Sequence, residues 1–209
     1  MNSSLQGRRP VVAAAWMAPL LLLPVMLFVA PAAQAHHLMS LLHLKPSPLA
    51  GFFSGLAHPV LGPDHLLFLL ALSLVGLRHR ASWMLGLLAT GLAGSALGLV
   101  IPGLPGAEAL VSFTLVVMAL VLMGRLPVPV LIPAFALHGY VLSASVLGWT
   151  TMPIAFYLTG LLLGQGALLL LSLTVLRRLG ARLSAPARQL LAAGLIGIGA
   201  AWTWSALVG

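Results

Sequence analysis

Six apolar segments dominate the chain, at about 51–77, 81–101, 106–123, 126–147, 153–176 and 187–208. Each is long enough to cross a hydrocarbon core of about 30 Å as a helix. Inside hydrocarbon every backbone amide and carbonyl must find its partner within the protein, so segments of this kind are helical. Only 6% of the residues are charged and 61% are hydrophobic, too few charges to cover a water-soluble surface. The expected fold class is therefore all-α: a polytopic bundle of six transmembrane helices in one domain, 36–209, embedded in a lipid bilayer. The net charge of +8 lies in short clusters between the apolar segments. Membrane topology explains such clusters, and no nucleic-acid partner is implied. The absence of cysteine excludes a disulfide framework, a thiolate metal site and a cysteine nucleophile.

Residues 1–35 read as a secretory signal peptide. Arg8 and Arg9 form its positive end, 11–30 its apolar stretch, and Ala33-Gln34-Ala35 its cleavage site. The alternative is an uncleaved first helix, against which Pro19, Pro24 and Pro31 count. Cleavage leaves a mature chain that begins His36-His37, with His43 nearby. A terminal amine and an imidazole can capture one metal ion together, although a polar leader that happens to hold histidines is the simpler reading. Arg78 and Arg80 follow the first span, Arg125 the third, and Arg177, Arg178, Arg182 and Arg188 the fifth; loops 102–105 and 148–152 have no Lys or Arg. The positive-inside rule makes the arginine loops cytoplasmic. The mature N-terminus and the C-terminus are then external, in a bacterial-type inner (plasma) membrane. Gly51 with Gly55, Gly94 with Gly98, and Gly160 with Gly164 have the four-residue spacing that lets membrane helices pack closely.

The first span contains His58-Pro59-Val60-Leu61-Gly62-Pro63-Asp64-His65, which holds one of only two carboxylates in the chain. An ionisable residue within a span is costly and marks a functional site by default. His138 lies at similar depth in the fourth span, Gln165 is near the middle of the fifth, and Glu108 begins the third at its external end. In a straight helix His58 and His65 would stand about 10 Å apart along the axis and could not share an ion. The interruption at Pro59–Pro63 breaks the span into two half-helices, with Pro63 in the first turn of the second. Free carbonyls at the end of the first half, near His58, would favour a cation. His58, Asp64, His65 and His138 form the candidate metal site; Glu108, His36 and His37 are candidates for capturing the ion outside it. Each also has a simpler role: Asp64 as a helix cap, the histidines and Glu108 as partners of backbone or of helix dipoles. Imidazole with carboxylate and no thiolate suits Ni²⁺, Co²⁺ or Zn²⁺, whereas Mg²⁺ and Ca²⁺ want more oxygen ligands.

Gly51-Phe52-Phe53-Ser54-Gly55-Leu56-Ala57-His58-Pro59, continuing through Gly62-Pro63-Asp64-His65, resembles the first-span signature of the HupE/UreJ membrane proteins. Pro105-Gly106-Ala107-Glu108 at the third span extends the resemblance over nearly the whole mature chain. It implies a permease rather than an enzyme, taking up nickel or cobalt for hydrogenase, urease or cobalamin systems. The metal would be a transported substrate, with no permanently bound cofactor. The resemblance implies metal-handling roles for His58, Asp64 and His65, and related roles for His138 and Glu108. Many members carry His-Gly-His and a further histidine in the fourth span. This chain reads His138-Gly139-Tyr140-Val141-Leu142-Ser143, closer to a subgroup with Tyr after His-Gly, which leaves the metal's identity and transport itself open. The alternatives are a non-transporting metal-binding membrane protein, a sensor or an assembly partner, and an intramembrane hydrolase using Ser95 with His138. The hydrolase lacks a G-x-S-x-G context. The key histidines lie three crossings apart, which suggests halves of opposite orientation, although the halves share no sequence similarity.

Overall fold

A computed structural model describes residues 45–178 and 184–208, so the signal peptide (1–35), His36, His37 and His43 lie outside the described residues. All regular structure among the described residues is helical. Helix α1 spans Pro48–Leu61 and α2 spans Pro63–Gly76; α3 is Ala81–Val100 and α4 is Ala107–Leu122. Helix α5, Leu131–Leu142, lies between the 3₁₀ turns Val128–Val130 and Ser143–Val146, and is followed by α6, Thr151–Arg178, and α7, Ala185–Val208.

The break in the first span is narrower than its two prolines suggest. Ser47 caps α1, its Oγ accepting from the Ala50 amide at 3.1 Å, and the helix runs through Pro59 to Leu61. Pro59 leaves only the Gly55 carbonyl without its usual amide, which a last turn tolerates. Gly62 is the break: Pro63 excludes helical geometry from the residue before it, and Gly62 takes an extended φ/ψ of −84°/107°. The chain restarts with Pro63 in the first turn of α2, and the two axes meet at 70°. The last turn of α1 therefore includes His58, whose carbonyl accepts from the Gly62 amide at 2.9 Å instead of standing open to a cation.

By length and composition α3, the run Val128–Val146, α6 and α7 can each cross a membrane, and α1 with α2 qualifies as a fifth, bent span. The sixth expected span, α4, is shorter. Gly106 (φ 70°) and Gly124 (φ 71°) stop it at 16 residues, about 24 Å against a core of about 30 Å.

Three helix pairs surround α2. Helix α1 lies on α6 through both expected glycine pairs: a Cβ at Gly55 would collide with the Tyr157 carbonyl, and one at Gly160 with the Phe52 carbonyl. Helix α3 lies on α5, where a Cβ at Gly94 would meet the Ala136 carbonyl, and α4 lies on α7, with Gly199 against Leu115. Small residues let these backbones approach in a medium that supplies no hydrophobic drive between helices. Helix α2 packs against α4 and α6 and buries side chains around most of its circumference, from Asp64 and His65 through Phe68, Leu72 and Val75. At its far end the Arg177 guanidinium, from the last turn of α6, donates to the carbonyls of Gly76 (3.1 Å) and His79 (3.0 Å). It thereby ties the end of α6 to the turn that closes α2.

Candidate metal centre

The elbow at Gly62 places His58 in the last turn of α1 and Asp64 and His65 in the first turn of α2. Their rings are 5.6 Å apart between centroids for His58 and His65, roughly half the about 10 Å that a straight helix would impose. His138 arrives from α5, its ring 4.9 Å from that of His65. All four side chains are buried, with Asp64 at 0% exposure, His65 at 2%, His138 at 3% and His58 at 6%. Asp64, His65 and His138 each offer a ligand atom within 4.8 Å of the others; His58 lies alongside this group. Phe68 stacks 4.1 Å from His138 and tilts against Phe135, giving the group an apolar wall.

Asp64 does not act as a helix cap. Neither carboxylate oxygen has a hydrogen-bond partner among the described residues, and His65 Nε2 is 3.8 Å from Oδ2. Burying a carboxylate in this way is expensive unless a positive charge compensates it.

Two hydroxyls behind the histidines determine which ring nitrogens face inward. Thr114 Oγ1, on α4, is 2.6 Å from the Val111 carbonyl and 2.6 Å from His138 Nε2. A carbonyl only accepts, so the single hydroxyl hydrogen goes to Val111 and Thr114 accepts from His138 Nε2–H. His138 Nδ1 is then a lone pair, and it accepts from His65 Nδ1–H at 2.7 Å. A neutral His65 therefore turns the Nε2 lone pair toward Asp64. Two electron-rich groups converge there, an arrangement that positive charge, a proton on His65 or a bound cation, would relieve. On the other side Tyr157, fully buried on α6, donates to the Leu142 carbonyl at 2.8 Å and so accepts from His58 Nδ1–H at 3.1 Å, with Ser145 beside it at 3.2 Å. His58 thus presents Nε2 as its ligand atom. Such supporting partners fix tautomer and orientation at metal-ligating histidines.

The other expected residues lie elsewhere. Glu108 is half-buried in the first turn of α4 and lines a cavity of about 370 Å³ with Pro102, Leu104, Tyr140 and Ser143, away from the buried group. Tyr140 clamps the α3–α4 connection: its hydroxyl donates to the Ile101 carbonyl (2.7 Å) and accepts from the Leu104 amide (2.9 Å). Gln165 is buried on α6, and its Oε1 has no hydrogen-bond partner among the described residues. Ser95 donates to the Gly139 carbonyl at 2.9 Å, which uses the hydrogen that a hydrolase would pass to His138.

Sequence reasoning missed Thr114 and Tyr157. A signal existed for Tyr157, which precedes Gly160 and Gly164 by three and seven residues and so shares the helix face they present to α1. Residues 23–202 match the sequence model of a family described as HupE / UreJ protein. No curated protein and no solved structure matches the chain.

Proposed function

The chain belongs to the HupE / UreJ protein family, and from that premise we propose that it is a membrane permease for a divalent transition-metal ion, nickel or cobalt, bound by His58, Asp64, His65 and His138. One observation carries this reading: a fully buried carboxylate without a hydrogen bond among the described residues converges with two imidazoles inside the bundle. Imidazole and carboxylate together favour Ni²⁺ or Co²⁺ over Mg²⁺ and Ca²⁺, with Zn²⁺ the less favoured choice within this family. In this reading Asp64 supplies the charge, and His58 and His138 approach through Nε2 and Nδ1. The ion takes the place of the hydrogen shared by the two Nδ1 atoms of His65 and His138; that hydrogen moves to His65 Nε2, on the side of Asp64, so that both Nδ1 lone pairs can ligate. Glu108 and the histidines His36 and His37 collect the ion at the external end of an inner-membrane protein, and the ion is cargo. No step of this reading is catalytic.

A second reading, a metal-binding membrane protein that does not transport, draws on the near-complete burial of all four ligands. Paired uptake of Ni²⁺ and Co²⁺ by cells or proteoliposomes carrying the wild type or Asp64→Asn separates these possibilities. Accumulation by the wild type and its loss in the variant support the permease. Equal accumulation by both removes the buried site from the pathway. Binding without any uptake by the wild type favours the second reading.

A further inference from the structure

The end of the bundle that carries the arginines has no counter-charge within the chain. Arg78, Arg80, Arg125, Arg177, Arg178 and Arg188 all follow or precede spans at that end. The chain's two carboxylate side chains lie elsewhere, Asp64 sealed in the bundle and Glu108 one crossing of α3 away. Between the first turns of α3 and α5 at the arginine end lies an open cavity of about 590 Å³. Its mouth is lined by His79, Arg80 and Trp83, and the Trp83 ring lies 5.4 Å from that of His79, tilted by 33°. From the mouth it continues along Gly86, Leu87, Thr90 and Ile132. Arg80 to Thr90 covers about 15 Å of helix, the depth of one leaflet's hydrocarbon.

Gly86 hollows this groove. Gly91 and Gly94 on the same helix are required by close contact with α5, but a Cβ at Gly86 would meet nothing within 4 Å. A helical glycine costs about 1 kcal/mol relative to alanine, and no packing among the described residues offsets it here.

We propose that this groove binds one anionic phospholipid, its phosphate held by Arg80 and His79 and an acyl chain laid along Gly86, Leu87 and Ile132. The charge balance selects the headgroup: a basic pocket with a tryptophan at the interface suits an acidic phosphate ester rather than a zwitterion. The apolar floor distinguishes a lipid from free phosphate, which would leave it empty.

The test counts lipid retained by the full-length protein, purified in detergent with phosphatidylglycerol or phosphatidylcholine, by native mass spectrometry. The wild type is expected to retain phosphatidylglycerol in preference. Arg80→Gln is expected to lower that preference about fivefold, the effect of one arginine at a membrane surface. Gly86→Leu fills the floor and is expected to lower retention of both lipids. Gly194→Leu, in the arginine-free groove between α2, α6 and α7 and likewise with no atom near its Cβ position, is expected to leave the preference intact. Equal retention of the two lipids by the wild type overturns the proposal. So does unchanged retention in both Arg80→Gln and Gly86→Leu, or displacement of the lipid by excess inorganic phosphate. Arg80→Gln tests the mouth of the cavity and Gly86→Leu tests its floor.

Discussion

Replacing Thr114 with valine removes one oxygen atom and leaves the side chain's shape nearly unchanged. In the structure that oxygen accepts from His138 Nε2–H, and its loss takes away the 2.6 Å partner of a buried donor. Orphaning a buried polar group costs about 1–3 kcal/mol. The ring can escape by moving its hydrogen to Nδ1, but that hydrogen would point at His65 Nδ1–H across 2.7 Å, two donors face to face. Either way the nitrogen that should ligate is no longer held ready. At about 1.4 kcal/mol per decade, a cost of about 1–3 kcal/mol is a roughly 5- to 150-fold loss of metal affinity. This brackets the about 10- to 100-fold typical of losing a supporting partner at a histidine ligand. Isothermal titration of Ni²⁺ or Co²⁺ into purified protein in nanodiscs measures it. Thr114→Ser keeps the hydroxyl and is expected to stay within about threefold of the wild type. A Thr114→Val dissociation constant within twofold of the wild type would refute the tautomer reasoning, as would a serine variant as impaired as the valine.

Tyr157→Phe is expected to weaken metal binding about tenfold and to change the visible absorption of bound Co²⁺, because His58 loses the acceptor that orients it. Ser145→Ala is expected to change little, since the Leu142 carbonyl keeps its bond from Tyr157. Pro63→Ala restores an amide and frees Gly62 to continue the helix. Spin labels on α1 and α2 should then move apart, with metal affinity falling at least about tenfold as His58 swings away from His65. Gly55→Leu forces a side chain into the Tyr157 carbonyl and is expected to cost about 3 kcal/mol or more in thermal unfolding, whereas Gly86→Ala, with open space around it, is expected to be neutral or stabilising by up to about 1 kcal/mol.

Apolar segments were legible because hydrocarbon imposes one rule on every span. Helices α1 with α2, α3, α6 and α7 begin and end within a few residues of the segments read from composition. Helix α4 also lies within one residue of its segment at each end, bounded by the left-handed backbone at Gly106 and Gly124. The exception is α5, Leu131–Leu142, which gives way to 3₁₀ turns at both ends of the segment 126–147, and hydropathy does not distinguish the two kinds of helix. The break in the first span was legible from its prolines, but its position at Gly62 depends on which proline has a helix behind it. His58, Asp64, His65 and His138 stood out because ionisable residues are rare in spans. Thr114 did not, because a threonine hydroxyl in a helix ordinarily bonds to its own backbone, and Tyr157 did not, because an aromatic residue in an apolar span reads as packing. Only the neighbouring helix shows that these two also reach a histidine. Arg177 had likewise been read only as a topology signal, whereas its guanidinium ties α6 to the end of α2.

Arg177 and Tyr157 lie twenty residues apart on one unbroken helix, about 30 Å from end to end. The first clasps the end of α2 and the second reaches His58 in α1, so α6 splints the elbow on both sides. A splinted joint does not flex. Three of the four candidate ligands therefore belong to one stiff frame, and the fourth, His138, rides on the α3–α5 pair. Opening the centre to either side then means lifting a single ligand away from three that stay in place.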